Sequence, residues 1–222
     1  EPMSKKKIFA FLRDLSANNS KEWMDANRKR YHEAKAIWLE EIDLILRRLV
    51  THDPTFEQIQ PKETLMRITN NRRFQPDKPL YRDHFSCSPG TDLTQAGFYI
   101  HISPNGSFIG GGVYRPPADV LHKIREGIDY DGQRLKEIIS SAPFTDMFSG
   151  LDEDEHQLKT APRGFPKDHP HIDLLRRKSF TSIVPLTEEQ VLAEDFPALA
   201  ERAYVSLRPM CEYLNRAVNF EA

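Results

Sequence analysis

The chain has 222 residues, of which 39% are hydrophobic and 10% are aromatic, a composition typical of a folded protein and not of a disordered segment. Its 31 Lys and Arg residues are balanced by 33 Asp and Glu residues, which excludes attraction to nucleic acid through overall positive charge. Two cysteines are too few for a disulfide framework, and no apolar run approaches the roughly 20 residues of a membrane span.

The N-terminal start, EPMSKKKIFAFL, has no long apolar region and no small-residue cleavage site, so we expect no signal peptide and a cytoplasmic location. Residues 8–15 then predict a short helix, and Ser20 is a suitable N-cap for the next helix. One face of that second helix carries residues at helical spacing, nearly all of them apolar or aromatic, and we expect it to lie in the core. These residues are Trp23, Asn27, Tyr31, Ala34, Trp38, Ile42, Ile45 and Leu49.

The middle of the chain has patterns typical of β-strands. Residues 65–68 and 82–88 are predicted as strands, and residues 98–103 alternate apolar and polar side chains as in a half-buried strand. The sequence SPNG at 103–106 favours a tight turn, because Pro fixes φ and Asn-Gly accepts positive φ. Residues 107–114 would then return as the second strand of a hairpin, with three consecutive glycines inside it.

The C-terminal half is predicted to be mainly helical around one further strand. Pro116-Pro117 opens a helix, Asp131 is a suitable cap for the next one, and residues 180–186 resemble a strand. Thr187 with Gln190 matches a capping box, and a long amphipathic helix follows. Strands clustered between helices, without β–α–β alternation, predict an α+β fold: a mainly antiparallel sheet packed with several helices, including long N-terminal and C-terminal amphipathic ones. No linker or repeat divides the chain, so we predict one domain over residues 1–222.

Two segments concentrate positive charge. Residues 62–82 contain six Lys or Arg against two Asp or Glu, and residues 159–178 contain the same numbers. Both contain prolines, which reduce the entropy lost when a loop binds a ligand, and arginines, which pair bidentately with phosphate or carboxylate. We predict that the two segments meet beside the glycine-containing hairpin and bind an anionic small molecule or partner. The predicted ligand-binding residues are Arg67, Arg73, Lys78, Tyr81, Arg82, Lys159 and Arg163.

Three other interpretations of these segments stay open. In a purely structural one, Arg67, Arg73 and Lys78 pair with Asp77, Asp83 and helix C-termini. In an enzymatic one, a hydrolase or transferase acts on an anionic substrate, with acid–base chemistry from Asp77, Tyr81, His101 or His169. In the third, nucleic acid binds with its bases stacked on Phe74, Tyr81 and Phe165.

Sequence motifs give little support to other chemistry. His169 and His171, with His84 or His101 and Asp168, could form a metal site, but no carboxylate-rich cluster accompanies them. The chain has no P-loop, GxGxxG, GxSxG, HExxH or CxxC sequence. We therefore predict no metal ligands, no cofactor and no assignable catalytic residues, and we interpret both cysteines as unreactive.

Four motifs in one order carry a resemblance to a known family. They are FLRDLSANNSKEWMDANRKRY (11–31), RITNNRRFQPDKPLYR (67–82), GFYIHISPNGSFIGGGVYRP (97–116) and LKTAPRGFPKDHPHIDLLRRKSF (158–180). Together they closely resemble the domain of unknown function 2461 family of bacteria and fungi. The resemblance implies a single compact α+β domain and supplies no catalytic residues. The sequence departs from the family pattern at Asn70-Asn71, where an Arg-Asp pair is usual, and at Met24, where Phe is usual.

Overall fold

The computed structural model describes residues 4–90 and 94–221, which contain both helices and a β-sheet. The α-helices are α1 (Lys6–Ala17), α2 (Lys21–Ala26), α3 (Arg28–Leu49), α4 (Ala118–Ser140), α5 (Ile172–Leu175), α6 (Glu188–Leu192) and α7 (Phe196–Asn219). The strands are β1 (Phe85–Cys87), β2 (Gly97–Ile102), β3 (Ser107–Val113) and β4 (Phe180–Leu186). Short 3₁₀ turns occupy Pro54–Gln58, Pro61–Thr64 and Phe144–Asp146.

The sheet has the strand order β1-β2-β3-β4 and is antiparallel, which confirms the predicted α+β class. The predicted hairpin and the strand at 180–186 are present, whereas the strand predicted over 82–88 is limited to β1. The strand predicted over 65–68 is wrong. There the backbone N–H of Met66 donates to the Ser86 hydroxyl (3.2 Å), so it is not available to a neighbouring strand.

Local hydrogen bonds mark the start of α2 and the break between α2 and α3. The Ser20 hydroxyl accepts a hydrogen bond from the Trp23 N–H (3.2 Å), which confirms the predicted N-cap. The predicted second helix is interrupted at Asn27, whose backbone leaves the helical region (φ −112°, ψ 17°) and whose amide donates to the Trp23 carbonyl (2.9 Å). Beyond that break the predicted apolar face is buried from Ala34 to Leu49.

Backbone contacts divide the chain into two compact units, so the prediction of one domain stays a prediction. The first unit contains Glu1–Gly90, Tyr99–Ile109 and Pro185–Glu201. Its core brings the Phe11 ring within 5.9 Å of both the Trp23 and Tyr31 rings. The Trp38 indole N–H donates to the Ser86 carbonyl (2.9 Å), which joins α3 to β1.

The second unit contains Thr91–Phe98, Gly110–Val184 and Arg202–Ala222. Within it, α4 is kinked at Asp131, whose carboxylate accepts a hydrogen bond from the Arg134 N–H (3.3 Å), as its predicted role as a cap requires. The Tyr213 hydroxyl lies 3.1 Å from the Gly127 carbonyl and 2.9 Å from the Asp131 carbonyl. This hydroxyl therefore provides a donor to carbonyls at the kink, where the helical ladder is broken. None of the helices in the described residues combines the length and apolar character needed to cross a lipid bilayer.

The three glycines of β3 are explained by close backbone packing. A Cβ on Gly110 would lie 2.6 Å from the Ser182 carbonyl oxygen, and one on Gly111 would lie 2.7 Å from the Gly97 carbonyl oxygen. Gly112 has a φ of +115°, and a Cβ there would lie 1.9 Å from the Phe180 carbonyl oxygen. The space left by the absent side chains is thus filled by neighbouring strands, and it does not require the approach of a ligand.

Replacing Gly112 by Ala should lower the free energy of unfolding by at least about 3 kcal/mol, because it adds both a backbone clash and an unfavourable φ. Gly97→Ala is the matched control, since a Cβ there meets nothing within 4 Å. Urea denaturation of both variants measures the difference. Equal stabilities would contradict the packing explanation.

Candidate functional site

The register of the sheet in the first unit separates an apolar face from a polar face. Ser86 lies opposite His101 in the β1–β2 pair, and directly opposed residues share a face of an antiparallel sheet. Ile100 and Ile102 are buried, whereas Tyr99 and His101 are half-buried on the other face. The alternation predicted from sequence therefore puts the His101 ring on the polar face.

The carboxylate of Asp83 is held on both of its oxygens. Oδ1 lies 3.1 Å from Nδ1 of His84, and Oδ2 accepts a hydrogen bond from the Asn105 amide (2.8 Å). The Ser103 hydroxyl donates to the Asp83 backbone carbonyl (3.0 Å). Because a carboxylate accepts hydrogen bonds, Nδ1 of His84 carries the proton and Nε2 keeps its lone pair. The turn between β2 and β3 thus fixes the orientation of the His84 ring.

The His101 ring lies between two other rings. Its centroid is 3.9 Å from that of His84 and 4.7 Å from that of Phe108, and both neighbours are stacked on it. The Tyr99 hydroxyl lies 3.0 Å from His101 Nδ1. We call Asp83, His84, Tyr99 and His101 the histidine cluster. Each imidazole in it has Nδ1 held by a neighbouring side chain.

Burial keeps both imidazoles neutral near pH 7. The pKa of His101 is lowered to about 4, mainly by burial and also by the positive charge that His84 can carry, against the opposing effect of Asp83. Burial also lowers the pKa of His84, although the hydrogen bond and charge of Asp83 raise it, and nearby Arg82 lowers it. Arg82 directly precedes Asp83 of the cluster in the chain.

The pKa shifts in the cluster favour the charged form of the Asp83 carboxyl group and the neutral form of the Tyr99 phenol. Burial acts to raise the pKa of Asp83, but the hydrogen bonds from Asn105 and His84 outweigh it, so the pKa is lowered and the carboxylate is ionised. Burial raises the pKa of Tyr99 to about 12, and Arg82 opposes this shift. The cluster therefore combines one fixed negative charge with neutral proton donors and acceptors.

Asp83, His84 and His101 each place a possible metal-ligand atom within 4.8 Å of the others. The lone pair of an imidazole nitrogen lies in its ring plane, however, and two rings stacked 3.9 Å apart at 26° cannot both direct a lone pair at one ion about 2.1 Å away. As arranged, the cluster suits hydrogen bonding and proton transfer better than coordination. In the second unit, His169 Nε2 instead binds the Asp129 carboxylate (2.7 Å).

The predicted ligand-binding residues of the first basic segment are mostly free of internal partners. Arg67, Arg73 and Lys78 are exposed, and no carboxylate of a described residue forms an ion pair with them, so the purely structural interpretation lacks its contacts. Arg82 is half-buried, and its Nε is buried without a hydrogen-bond acceptor among the described residues. Arg72 differs, since its guanidinium donates to the Pro76 carbonyl within the loop.

Tyr81, whose role as a ligand-binding residue stays a prediction, lies at the base of the basic segment. It is only 5% exposed, so its ring is buried and is not available for stacking against a base or a ligand. Its backbone N–H donates to the Asn19 side-chain oxygen (2.9 Å), and its carbonyl accepts from the Asn19 amide (2.9 Å). Tyr81 therefore holds the base of the basic segment in place.

The predicted residues of the second basic segment, Lys159 and Arg163, are exposed in the second unit, and no described carboxylate pairs with either. Other cations of that segment have structural roles, since Arg176 Nε donates to the Leu158 carbonyl (2.7 Å) and Arg177 donates to the Asp152 and Ser179 carbonyls. The meeting of the two segments stays a prediction.

A family model described as conserved hypothetical protein (DUF2461) matches residues 7–213. The chain belongs to the DUF2461 family. This match confirms the resemblance carried by the four motifs. Comparisons with curated proteins and with solved structures found no match.

Asn70 and Asn71, where this DUF2461 chain departs from the family pattern, form hydrogen bonds within the basic segment. The Asn70 amide donates to the Pro79 carbonyl (2.8 Å), and the Asn71 side-chain oxygen accepts from the Arg73 N–H (3.1 Å). Sequence reasoning did not find the histidine cluster as a unit, because Asp83 and His84 were read as part of a strand. The signal that could have found it is the alternation of β2, which sets His101 on the polar face.

The pKa of His101 predicts a loss of stability in acid. The unfolded chain binds a proton near the ordinary value of 6.5, whereas the folded protein does so at about 4, so the free energy of unfolding should fall as the pH drops between these values. His101→Gln should flatten this part of the curve, measured by urea denaturation at several pH values. His122→Gln, at an exposed position, should follow the wild type. An NMR titration of His101 near 6.5 would contradict the prediction.

Proposed function

We propose that this protein binds an anionic ligand or partner, bearing phosphate or carboxylate, through the basic segment 62–82. The observation that carries the proposal is Arg82 Nε, a buried donor on a charged group with no acceptor among the described residues. Leaving such a donor unsatisfied costs free energy. Because Nε is buried, the Arg82 side chain would have to shift for a bound anion to supply the missing acceptor.

The rest of the segment supports this proposal. The exposed cations Arg67, Arg73 and Lys78 are not neutralised by described carboxylates, so they add to the local positive potential. The segment is also held at its base by Asn19, which reduces the entropy lost on binding. Lys159 and Arg163, in the second unit, stay predicted ligand-binding residues.

Arg82→Gln should weaken binding of inorganic phosphate, pyrophosphate or tripolyphosphate by roughly 10- to 100-fold, the value of about 1.5–3 kcal/mol expected for a charged hydrogen bond. Isothermal titration calorimetry at low ionic strength measures the effect, with the exposed Lys29→Ala as a charge-matched control. Unchanged affinity in the Arg82 variant, or equal losses in both variants, would refute the assignment of Arg82.

The second candidate function is acid–base catalysis on a bound anion, and the observation that favours it is the Asn105–Asp83–His84 chain. In hydrolysis of a phosphate ester, His84 Nε2 would accept a proton from water while the water oxygen bonds to phosphorus. The bond from phosphorus to the leaving oxygen would break, and an activated phenolate would leave as an anion. Asp83 would act as a positioning residue that orients His84.

His84→Gln should reduce hydrolysis of p-nitrophenyl phosphate by about 100-fold or more, the usual contribution of a general base, while leaving pyrophosphate affinity nearly unchanged. Release of p-nitrophenolate measures the rate, and His122→Gln serves as the control. Asp83→Asn should shift the pH profile of the rate as well as lower it. Equal rates in the wild type and the His84 variant would rule out this second function.

We also propose a cytoplasmic location, which the cysteines support. Cys87 and Cys211 are free thiols, and burial raises the pKa of each to about 12. Thiols with so high a pKa stay protonated near pH 7 and are poor nucleophiles.

A further inference from the structure

The outer part of the basic segment, residues 70–80, forms a projecting loop that is ordered by its own backbone. At its base the Asn70 N–H donates to the Leu80 carbonyl (3.0 Å), next to an isolated bridge between Thr69 and Tyr81. Within it, the Gln75 N–H donates to the Arg72 carbonyl (3.3 Å), and further bonds link its residues. Every residue from 71 to 79 is nevertheless exposed. The loop therefore has a defined backbone conformation, although its residues are exposed to solvent.

This loop carries a highly exposed aromatic side chain. Phe74 is 82% exposed, and the guanidinium carbon of Arg73 lies 5.2 Å from the centroid of its ring. Apolar surface of this size in water is unfavourable, whereas a second planar group could cover it. A cation and an open aromatic ring at adjacent positions match the two parts of a nucleotide, the phosphate and the base.

We propose that this loop binds single-stranded nucleic acid, with a base stacked on Phe74 and phosphates paired with Arg73 and Lys78. The inference rests on the proposed anion binding and names the partner. Exposure favours a polymer over a small ligand, because one stacked base on an open surface is held weakly, whereas neighbouring nucleotides add contacts along a strand. A duplex is disfavoured because its bases are stacked on each other and cannot reach the Phe74 ring.

The local charge supports the same partner. Between residues 70 and 80, the cations Arg72, Arg73 and Lys78 are accompanied by Asp77 as the one carboxylate in the sequence. The chain as a whole is nearly neutral, so attraction to a phosphate backbone must be local. Such binding weakens as salt rises, since condensed counterions are released from the strand.

The experiment compares two labelled oligomers that carry the same phosphates, with and without bases. Fluorescence anisotropy would measure binding of an oligothymidylate of about 12 nucleotides, within the usual site sizes, and of an abasic oligomer of equal length. The wild type should prefer the base-bearing strand by roughly 5- to 150-fold, the range expected for one stacked base. Phe74→Ala should abolish this preference while leaving tripolyphosphate binding unchanged.

Two further variants separate the contribution of the stacked base from that of the phosphate contacts. Tyr130→Ala, at a position 92% exposed in the second unit, should keep the full preference. Lys78→Ala should weaken both oligomers equally and reduce the salt slope by about 0.7, the value for one single-strand phosphate contact. Circular dichroism should show that the substitutions at these exposed positions leave the fold intact.

Two kinds of result would overturn the inference and leave the proposed function standing. One is equal affinity for the base-bearing and abasic strands, with both weakened in Arg82→Gln. The other is binding of tripolyphosphate with no binding of either oligomer. Retention of the base preference in Phe74→Ala, or equally tight binding of a duplex, would also overturn it. Failure to bind any of the anions would refute the proposed function as well.

Discussion

The doubly held carboxylate of Asp83 is the interaction on which the candidate site depends. It connects the turn between β2 and β3, through Asn105, to the residues that precede β1, through His84. Arg82 and His84 flank Asp83 in the chain, and the contact with Asp83 orients the His84 ring. Two hydrogen bonds also keep the carboxylate ionised against its burial. Asp83 therefore holds His84 directly, and the His84 ring in turn stacks on His101.

The site illustrates how a nearly neutral protein can attract anions locally. Positive side chains elsewhere in the first unit are commonly paired, as in Lys5 with Glu41 and Arg48 with Glu201. In the basic segment, by contrast, Arg67, Arg73 and Lys78 have no carboxylate partner among the described residues. The local group of unpaired cations, and not the total charge, therefore gives the segment its positive potential.

Local patterns in the sequence predicted those elements that depend on neighbouring residues. The Ser20 cap, the Thr187–Gln190 capping box and the β2–β3 hairpin are all present, because caps and tight turns are built from short-range hydrogen bonds. The histidine cluster required more. It depends on the β1–β2 register, which brings Ser86 opposite His101, and register between separated strands is not encoded in either strand alone.

Two departures from local propensity have the same physical origin. Tyr81 lies among the cations of the basic segment, yet its ring is buried, and contacts with a distant residue, Asn19, accompany this burial. Residues 65–68 have the composition of a strand, yet the Met66 N–H donates to a side chain of β1. In both cases a partner far along the chain overrode the local propensity.

The two hydrogen bonds between Asn19 and Tyr81 also have a consequence for self-association of the protein. In the isolated bridge, the ladder bonds run between Asn70 and Leu80 and between Arg82 and Ile68, so the N–H and C=O of Tyr81 point away from Thr69. Those are the groups with which an incoming strand from another molecule would register. The Asn19 amide donates one hydrogen bond to Tyr81 and accepts one from it, as a neighbouring strand would. It therefore blocks edge-to-edge aggregation at this point.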